Sequence, residues 1–414
     1  MKNNIAMINA NNGYTRIYKL TEFLILFAMI IVSSDTVLFG TNENTLLVNL
    51  KYIFIATLIL IYMRPAISSS SKRSSETTIL AIMTLLLVIT AILCDDLRGG
   101  YVLRFMLIIA AFCYTASIPR ITFMQMFSDA IFIIGLYSLA CYVVNFISPD
   151  LFSIFPVLTN ISGLEFRNLI LCNIPINYSV DRLWGPFSEP GVFQIMLNTA
   201  MLFDIYLRKD LNYFRIGIFT AAVILSKSTT GYFTLAMVLA FLVTCSRGQS
   251  GSRSRVIIIL LLTIALGILV QHTDLLSAEG VVFDKLHDTQ RSSTAARLAS
   301  ITCNLQMFAM SPIWGVGLTA ADELFPKLAS VAVGVFTGSN TNQLLFQFAS
   351  MGIFYGLIWT IGVAKFFNKL GASQISRIIL FMIFILLCVG ENLNWSILFY
   401  LFIFYGFQNN TARV

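Results

Sequence analysis

The stretch RLWGPFSEPG, residues 182–191, places an arginine and a carboxylate between two long apolar runs. Arg182 carries a planar, permanently charged guanidinium, which matches the geometry of phosphate oxygens. Glu189 can accept a proton from a reacting hydroxyl or can simply orient the arginine, and the sequence leaves both roles open. The residue types therefore favour a site for a phosphate-bearing ligand at the edge of an apolar bundle.

Other polar side chains that suit a phosphate or a sugar lie between apolar runs as well. As catalytic candidates we take Arg182, Glu189 and Arg297, and as substrate-binding candidates Arg291, Arg167, Asn340, Asn342, Lys227 and Trp184. Packing in the core is the more common fate of a tryptophan, and snorkelling to lipid headgroups is that of a lone arginine at a helix end. With two histidines and no CxxC pair, the sequence predicts neither a metal site nor a cofactor.

The elements that must hold these residues are hydrophobic helices. The chain has 414 residues, of which 57% are hydrophobic and only 11% charged, as expected for an integral membrane protein. We predict an all-α fold, a polytopic transmembrane helical bundle that forms a single membrane domain over residues 1–414. About twelve spans are predicted, at 20–40, 45–63, 78–94, 101–118, 121–147, 191–207, 212–226, 231–245, 256–271, 342–365, 377–391 and 394–407.

Charge places the connecting segments on the two sides of the membrane. Most of the 27 Lys and Arg residues fall on short segments that share one side, which predicts cytoplasmic termini. The longer segments, about 148–190 and 272–341, are then outer, periplasmic loops, and helical patterns in both predict ordered helical caps. Loop orientation and anionic lipid account for the net charge of +7, so no nucleic-acid partner is expected.

Five charged residues fall within or near the predicted spans: Asp35, Lys51, Arg104, Asp129 and Asp204. Charges at that depth are costly, so we expect them to face the bundle interior or a polar cavity. Structural ion pairing and function are equally open for them. A disulfide between Cys172 and Cys303, both in outer loops, is a further open alternative.

Three motifs in order resemble the O-antigen polymerase and ligase superfamily, over roughly residues 180–365. RLWGPFSEPG is similar to that superfamily's R-x-x-G-x-F-x-x-P signature, and Arg297 precedes PIWGVG at Pro312 with the spacing of its later motif. SNTNQLLFQFASMG resembles the following helix, written H-N-x-x-L-x-x-x-x-x-x-G. The serine- and threonine-rich turn SKSTTG is similar to the one between those blocks.

One departure bears on the function that the resemblance implies. The ligases carry a histidine before the motif asparagine, whereas this chain has Thr341 before Asn342. The resemblance therefore implies an O-antigen polymerase, often called Wzy, with the ligase as an alternative. A flippase or transporter of lipid-linked sugars is a third reading, disfavoured because the polar groups lie in two large outer loops.

The resemblance also implies a mechanism and partners. A polymerase of this kind is a GT-C-like, metal-independent glycosyltransferase in the bacterial inner membrane, with a periplasmic active site. Its substrate is an oligosaccharide linked to undecaprenyl diphosphate, and a chain-length regulator protein is the expected partner besides membrane lipids. Arg182 and Arg297 would hold the diphosphate with Arg291 as a weaker third, while Asn340 and Asn342 would bind sugar hydroxyls or fix the loop.

Overall fold

The computed structural model describes residues 19–70, 73–176, 181–208, 211–245, 292–332, 340–391 and 393–408. These residues are mostly helical. The helices are α1 (Leu20–Ile31), α2 (Thr45–Ser69), α3 (Ser74–Leu93), α4 (Gly99–Ser117), α5 (Arg120–Ile147), α6 (Pro190–Leu207), α7 (Tyr213–Leu225), α8 (Thr229–Cys245), α9 (Ser292–Met310), α10 (Leu318–Ala332), α11 (Gln343–Asn368), α12 (Gln374–Gly390) and α13 (Ile397–Phe407). Three short strands follow α5, namely β1 (Val157–Thr159), β2 (Glu165–Asn168) and β3 (Asn173–Pro175).

Five of the described helices are long and apolar enough to cross a membrane: α2, α3, α4, α5 and α11. The fold is therefore that of a polytopic helical membrane protein. A helix lies at each predicted span except 256–271, which is outside the described residues, but several of these helices are shorter than a full crossing. The first predicted span, 20–40, is one such case, because α1 ends at Ile31 and a short π-helical turn follows at Val37–Thr41.

The described residues form two compact units. The first contains those through Phe54 and those from Ile118 to Cys245, that is α1, α5 to α8 and the three strands. The second contains those from Ile55 to Ser117 and those from Ser292 onward, which include α3, α4 and α9 to α13.

In the first unit α6 is the central helix. Nearly all of its residues are buried, because α5, α7 and α8 pack around it. Arg215 on α7 forms ion pairs of 2.8 Å with Asp129 and 3.0 Å with Asp204, on α5 and α6. Ser128 accepts a further hydrogen bond from the same guanidinium at 2.9 Å. Such pairing is what makes buried charges tolerable inside an apolar bundle.

The segment that follows α5 corrects the expectation of a helical cap over 148–190. Apart from one short 3₁₀ turn at Pro149–Phe152, the regular structure of its described residues before α6 is an antiparallel sheet in the order β1-β2-β3. Phe166 opposes Leu158 on one side and Pro175 on the other. The strands have three or four residues each, too few to show an alternating pattern against an apolar background.

In the second unit α11 is the central helix, and a glycine breaks it. Gly352 has φ 77° and ψ −179°, a conformation open essentially to glycine alone. A Cβ there would lie 2.0 Å from the carbonyl oxygen of Ile313, and one on Gly315 (φ 75°) would lie 2.4 Å from the amide nitrogen of Met351. The turn after α9 and the break in α11 thus fit together because both motif positions lack side chains.

The charged residues that fall in or near the predicted spans are buried, as expected: Asp35, Lys51, Arg104, Asp129 and Asp204. Asp129 and Asp204 belong to the ion-pair network of Arg215, the structural alternative considered for them. Cys172 and Cys303 are both buried free thiols.

Candidate functional site

In the first unit Arg182 contacts the end of α7. Its Nε donates to the Ser226 carbonyl at 3.0 Å, and its Nη2 donates to the Lys227 carbonyl at 3.4 Å. The backbone reinforces the contact, since the Leu183 amide donates to the Leu225 carbonyl at 2.9 Å. A cation at these positions satisfies carbonyls that a helix end leaves without partners. Arg182 therefore fastens the motif segment to α7.

Lys227 lies in the same place and is also engaged. Its ammonium pairs with the carboxylate of Asp181 at 2.5 Å, and its backbone has the left-handed φ of 50°. Partial burial alone would raise the pKa of Asp181, but the hydrogen bond and the charge of Lys227 outweigh it and hold this pKa below its usual value. We call Asp181, Arg182 and Lys227 the Arg182 cluster.

The other candidates of the first unit have three different environments. Glu189 is exposed at the N-terminus of α6, and within the described part of the chain its carboxylate makes no hydrogen bond or ion pair. Arg167 lies on β2 and donates to the Pro149 carbonyl at 3.5 Å. Trp184 is only 3% exposed and packs edge-on against Phe166, with ring centres 5.1 Å apart. Its ring packs in the core, the more common fate considered for it, and a contact of Trp184 with substrate stays a prediction.

In the second unit Arg297 differs from all of these. It lies in the second turn of α9 and is partly exposed. Among the described residues it makes no hydrogen bond or ion pair. Its guanidinium is therefore not engaged by the part of the chain that the structure describes. Arg291, expected to assist it, lies outside the described residues.

The residues after Arg297 on α9 hold the segment that leads into α11. Ser300 accepts a hydrogen bond from the Thr341 amide at 2.9 Å, and its hydroxyl lies 3.2 Å from that of Thr341. Asn304 and Asn340 exchange two hydrogen bonds of 3.0 Å. Arg297 precedes Ser300 by about one helical turn, so it lies near the N-terminus of α11. We call Arg297, Ser300, Asn304, Asn340 and Asn342 the Arg297 cluster.

Asn342 has a clear local role. It is the N-cap of α11, and its side chain accepts from the Leu345 amide at 2.9 Å. Its own amide donates to the Asn340 side chain at 3.1 Å. Both asparagines are buried, so they fix the loop, which is one of the two roles expected for them.

A second arginine of this unit is buried without a carboxylate. Arg104 on α4 is 0% exposed and donates to Gln347 Oε1 at 3.1 Å, while its Nε and Nη2 have no hydrogen-bond partner among the described residues. The ring of Trp395 lies 5.3 Å from it. Surrounding protein atoms desolvate Asp322 on α10 and raise its pKa to about 6, against the opposing charge of Arg104.

Sequence reasoning missed Asp181, Ser300 and Asn304. The last two could have been found, because they follow Arg297 at helical spacing and so share its face of α9. Asp181 gave no such signal, since its partner Lys227 is far away along the chain.

The fold and these clusters define a helical membrane protein with cationic groups on two compact units. Residues 216–360 match the family model described as O-antigen ligase. No curated protein matches the chain. The match includes Lys227, Arg297 and Asn342 and supports the O-antigen polymerase and ligase superfamily.

Proposed function

We propose that the protein is an O-antigen polymerase, which transfers a growing glycan from undecaprenyl diphosphate onto a new lipid-linked repeat unit. The observation that carries the proposal is Arg297, a partly exposed arginine without a partner in the described chain, on the helix that fixes the entry to α11. It lies within the residues that match the superfamily.

In this transfer a hydroxyl of the acceptor sugar attacks the anomeric carbon, and the bond from that carbon to the diphosphate oxygen breaks. Negative charge grows on the leaving diphosphate as this bond lengthens. Arg297 would bind the diphosphate and stabilise that charge by hydrogen bonds that strengthen in the transition state. This role needs no metal ion, so we propose a metal-independent glycosyltransferase.

The acceptor hydroxyl must lose its proton, either to a protein carboxylate or to the departing diphosphate. Glu189 is exposed and makes no contact with a described cation, which suits a base. Its alternative role, to orient Arg182, lacks a contact in the described chain. We therefore propose Glu189 as the base. We propose Arg182, Arg167 and Lys227 as the substrate contacts of the first unit.

Thr341 favours polymerase over ligase. The imidazole expected of a ligase is replaced by a hydroxyl that lies against Ser300, so this position has no general base of that kind. The ligase remains a second candidate because the matching family model is described as O-antigen ligase. For either enzyme we propose a periplasmic active site in the inner membrane, with both termini cytoplasmic. For the polymerase we also propose a chain-length regulator as partner.

A choice of acceptors separates the two candidates. The purified protein in nanodiscs would receive lipid-diphosphate-linked repeat units, with or without lipid A–core and with EDTA throughout. A ladder of products without lipid A–core is the result expected of a polymerase. Transfer that occurs only when lipid A–core is present would identify a ligase, and neither product with a matched repeat unit would contradict both.

A further inference from the structure

The turn between β2 and β3 exposes a large apolar side chain at its tip. The segment from Asn168 to Pro175 reads NLILCNIP and has no charged residue. Leu169 and Cys172 are buried against Cys141 of α5, whereas Ile170 between them is 60% exposed. The turn therefore packs on α5 and presents Ile170 outward.

The backbone at Ile170 is strained. Its φ is 67°, a left-handed conformation that a β-branched residue rarely adopts and that glycine or asparagine adopts far more easily. An isoleucine here thus costs backbone strain and also leaves apolar surface uncovered in water. Contact of the Ile170 side chain with an apolar surface outside the described chain would offset both costs.

The position of the turn along α5 indicates which apolar surface Ile170 meets. The Ser138 hydroxyl donates to the Leu171 carbonyl at 3.3 Å, so the turn lies beside Ser138. With 28 residues α5 is about 42 Å long, whereas the hydrocarbon core of a bilayer is about 30 Å thick and needs about 20 helical residues. A crossing of that length that begins at Arg120 already includes Ser138, and one placed nearer to Ile147 includes it too.

The lipid-facing surface of α5 runs past this level. Exposed apolar side chains lie on α5 both before and after Ser138: Ile133, Leu136, Tyr137, Val143 and Val144. The turn that carries Ile170 thus lies beside a helix that is apolar and long enough to cross a membrane, at a level where that helix exposes apolar side chains.

Three successive amides of the turn, those of Leu169, Ile170 and Leu171, donate within the protein, which lowers the cost of a lipid environment. Leu169 donates its amide to the Cys172 carbonyl at 2.9 Å, and Leu171 donates to the Leu169 carbonyl at 2.8 Å. The Ile170 amide donates to Asn168 Oδ1 at 3.1 Å, and the Asn168 and Asn173 side chains bond each other at 2.6 Å.

We propose that the β2–β3 turn is inserted in the bilayer beside α5, with Ile170 among the acyl chains of the lipids. The inference concerns a lipid-binding surface and does not depend on the proposed enzyme activity. It also fixes the depth of the segment 182–189, because the Asn173 amide donates to the Gly185 carbonyl at 2.7 Å.

A nitroxide attached at Ile170→Cys in nanodiscs tests the insertion through its collisions with oxygen, which enters lipid, and with a water-soluble nickel chelate. Ser162→Cys is the matched control, an exposed position in the turn at the other end of β2. The unsubstituted protein, carried through the same labelling, gives the background from its own cysteines.

At position 170 we expect the nitroxide to collide more often with oxygen than with the nickel chelate. At position 162 we expect collisions with the nickel chelate to be the more frequent. Nickel access at 170 equal to that at 162 would overturn the proposal. Protection from both reagents would overturn it too, since it would indicate that another protein copy covers the turn. If the cysteine variant does not fold, Ile170→Trp with lipids brominated on their acyl chains replaces it: added quenching is the expected result, and its absence contradicts insertion.

Discussion

Arg215 in the first unit and Arg104 in the second are both buried among helices, yet their surroundings differ. Arg215 meets two carboxylates at 2.8 and 3.0 Å, whereas Arg104 donates to the neutral amide of Gln347 and lies against the Trp395 ring in the described chain. The first arrangement neutralises the charge within the fold. The second leaves a cation without an ion pair in the described chain, although its charge acts on Asp322.

The motif arginines differ in a parallel way. Two nitrogens of Arg182 donate to carbonyls at the end of α7, while Arg297 makes no hydrogen bond in the described chain. The same residue type thus anchors a segment in one unit, whereas in the other it is not engaged by any described residue. A substitution at Arg182 that lowers activity would therefore change both the stability of the fold and substrate binding. A substitution at Arg297 that lowers activity would report on binding.

The largest expected effect is the loss of unfolding free energy when the buried ion pair of Arg215 is broken. Arg215→Met removes the cation that neutralises Asp129, and breaking a buried pair in this way costs about 3–5 kcal/mol of unfolding free energy. Thermal unfolding of the purified protein in detergent measures the loss. Arg104→Met is the matched control, which should lose less because Arg104 forms no ion pair with a described carboxylate and acts on Asp322 only through its charge. Equal losses would show that the two environments do not differ in energy.

Arg297→Ala should reduce turnover of the lipid-linked substrate by about 10²–10³-fold, the effect of removing one donor from a developing charge. Its melting temperature should not change, since the described chain has no partner for this side chain. Arg297→Lys keeps the charge but loses the planar guanidinium, so its turnover should lie between that of the parent and that of Arg297→Ala. Full activity in Arg297→Ala, measured as the product ladder, would remove this residue from the proposed site.

Arg182→Ala should lower the unfolding free energy by about 1.5–3 kcal/mol, because two hydrogen bonds from a charged donor to α7 are lost. Turnover should fall with it, and Arg182→Lys should recover part of the stability. An unchanged melting temperature together with lost turnover would contradict the anchoring role and favour direct contact with substrate.

The smallest effect is expected at the cap of α11. Asn342→Ala should cost about 1 kcal/mol of unfolding free energy, whereas Asn342→Ser and Asn342→Asp keep a capping oxygen and should cost less. Turnover in the serine variant separates the cap from sugar binding. Wild-type stability with poor turnover there would mean that the amide itself contacts substrate.

The helices were predictable from sequence because long apolar runs dominate their composition. The small sheet was not, since strands of three or four residues within an apolar segment leave no periodic signal. The site was predictable in part. The motifs identified Arg182 and Arg297 as candidates, but only coordinates show that Ser226 and Lys227 carbonyls accept from one of them. The fate of Trp184 depended on Phe166, a contact that no spacing reveals.

The affinity of the protein for a lipid diphosphate shows whether Arg297 holds the diphosphate. Binding of undecaprenyl diphosphate to the protein in nanodiscs would be measured for the parent, Arg297→Ala and Arg182→Ala, each with its melting temperature. We expect Arg297→Ala to bind undecaprenyl diphosphate much more weakly at an unchanged melting temperature, while Arg182→Ala loses stability. Parent-like affinity in Arg297→Ala would contradict the claim that this arginine holds the diphosphate.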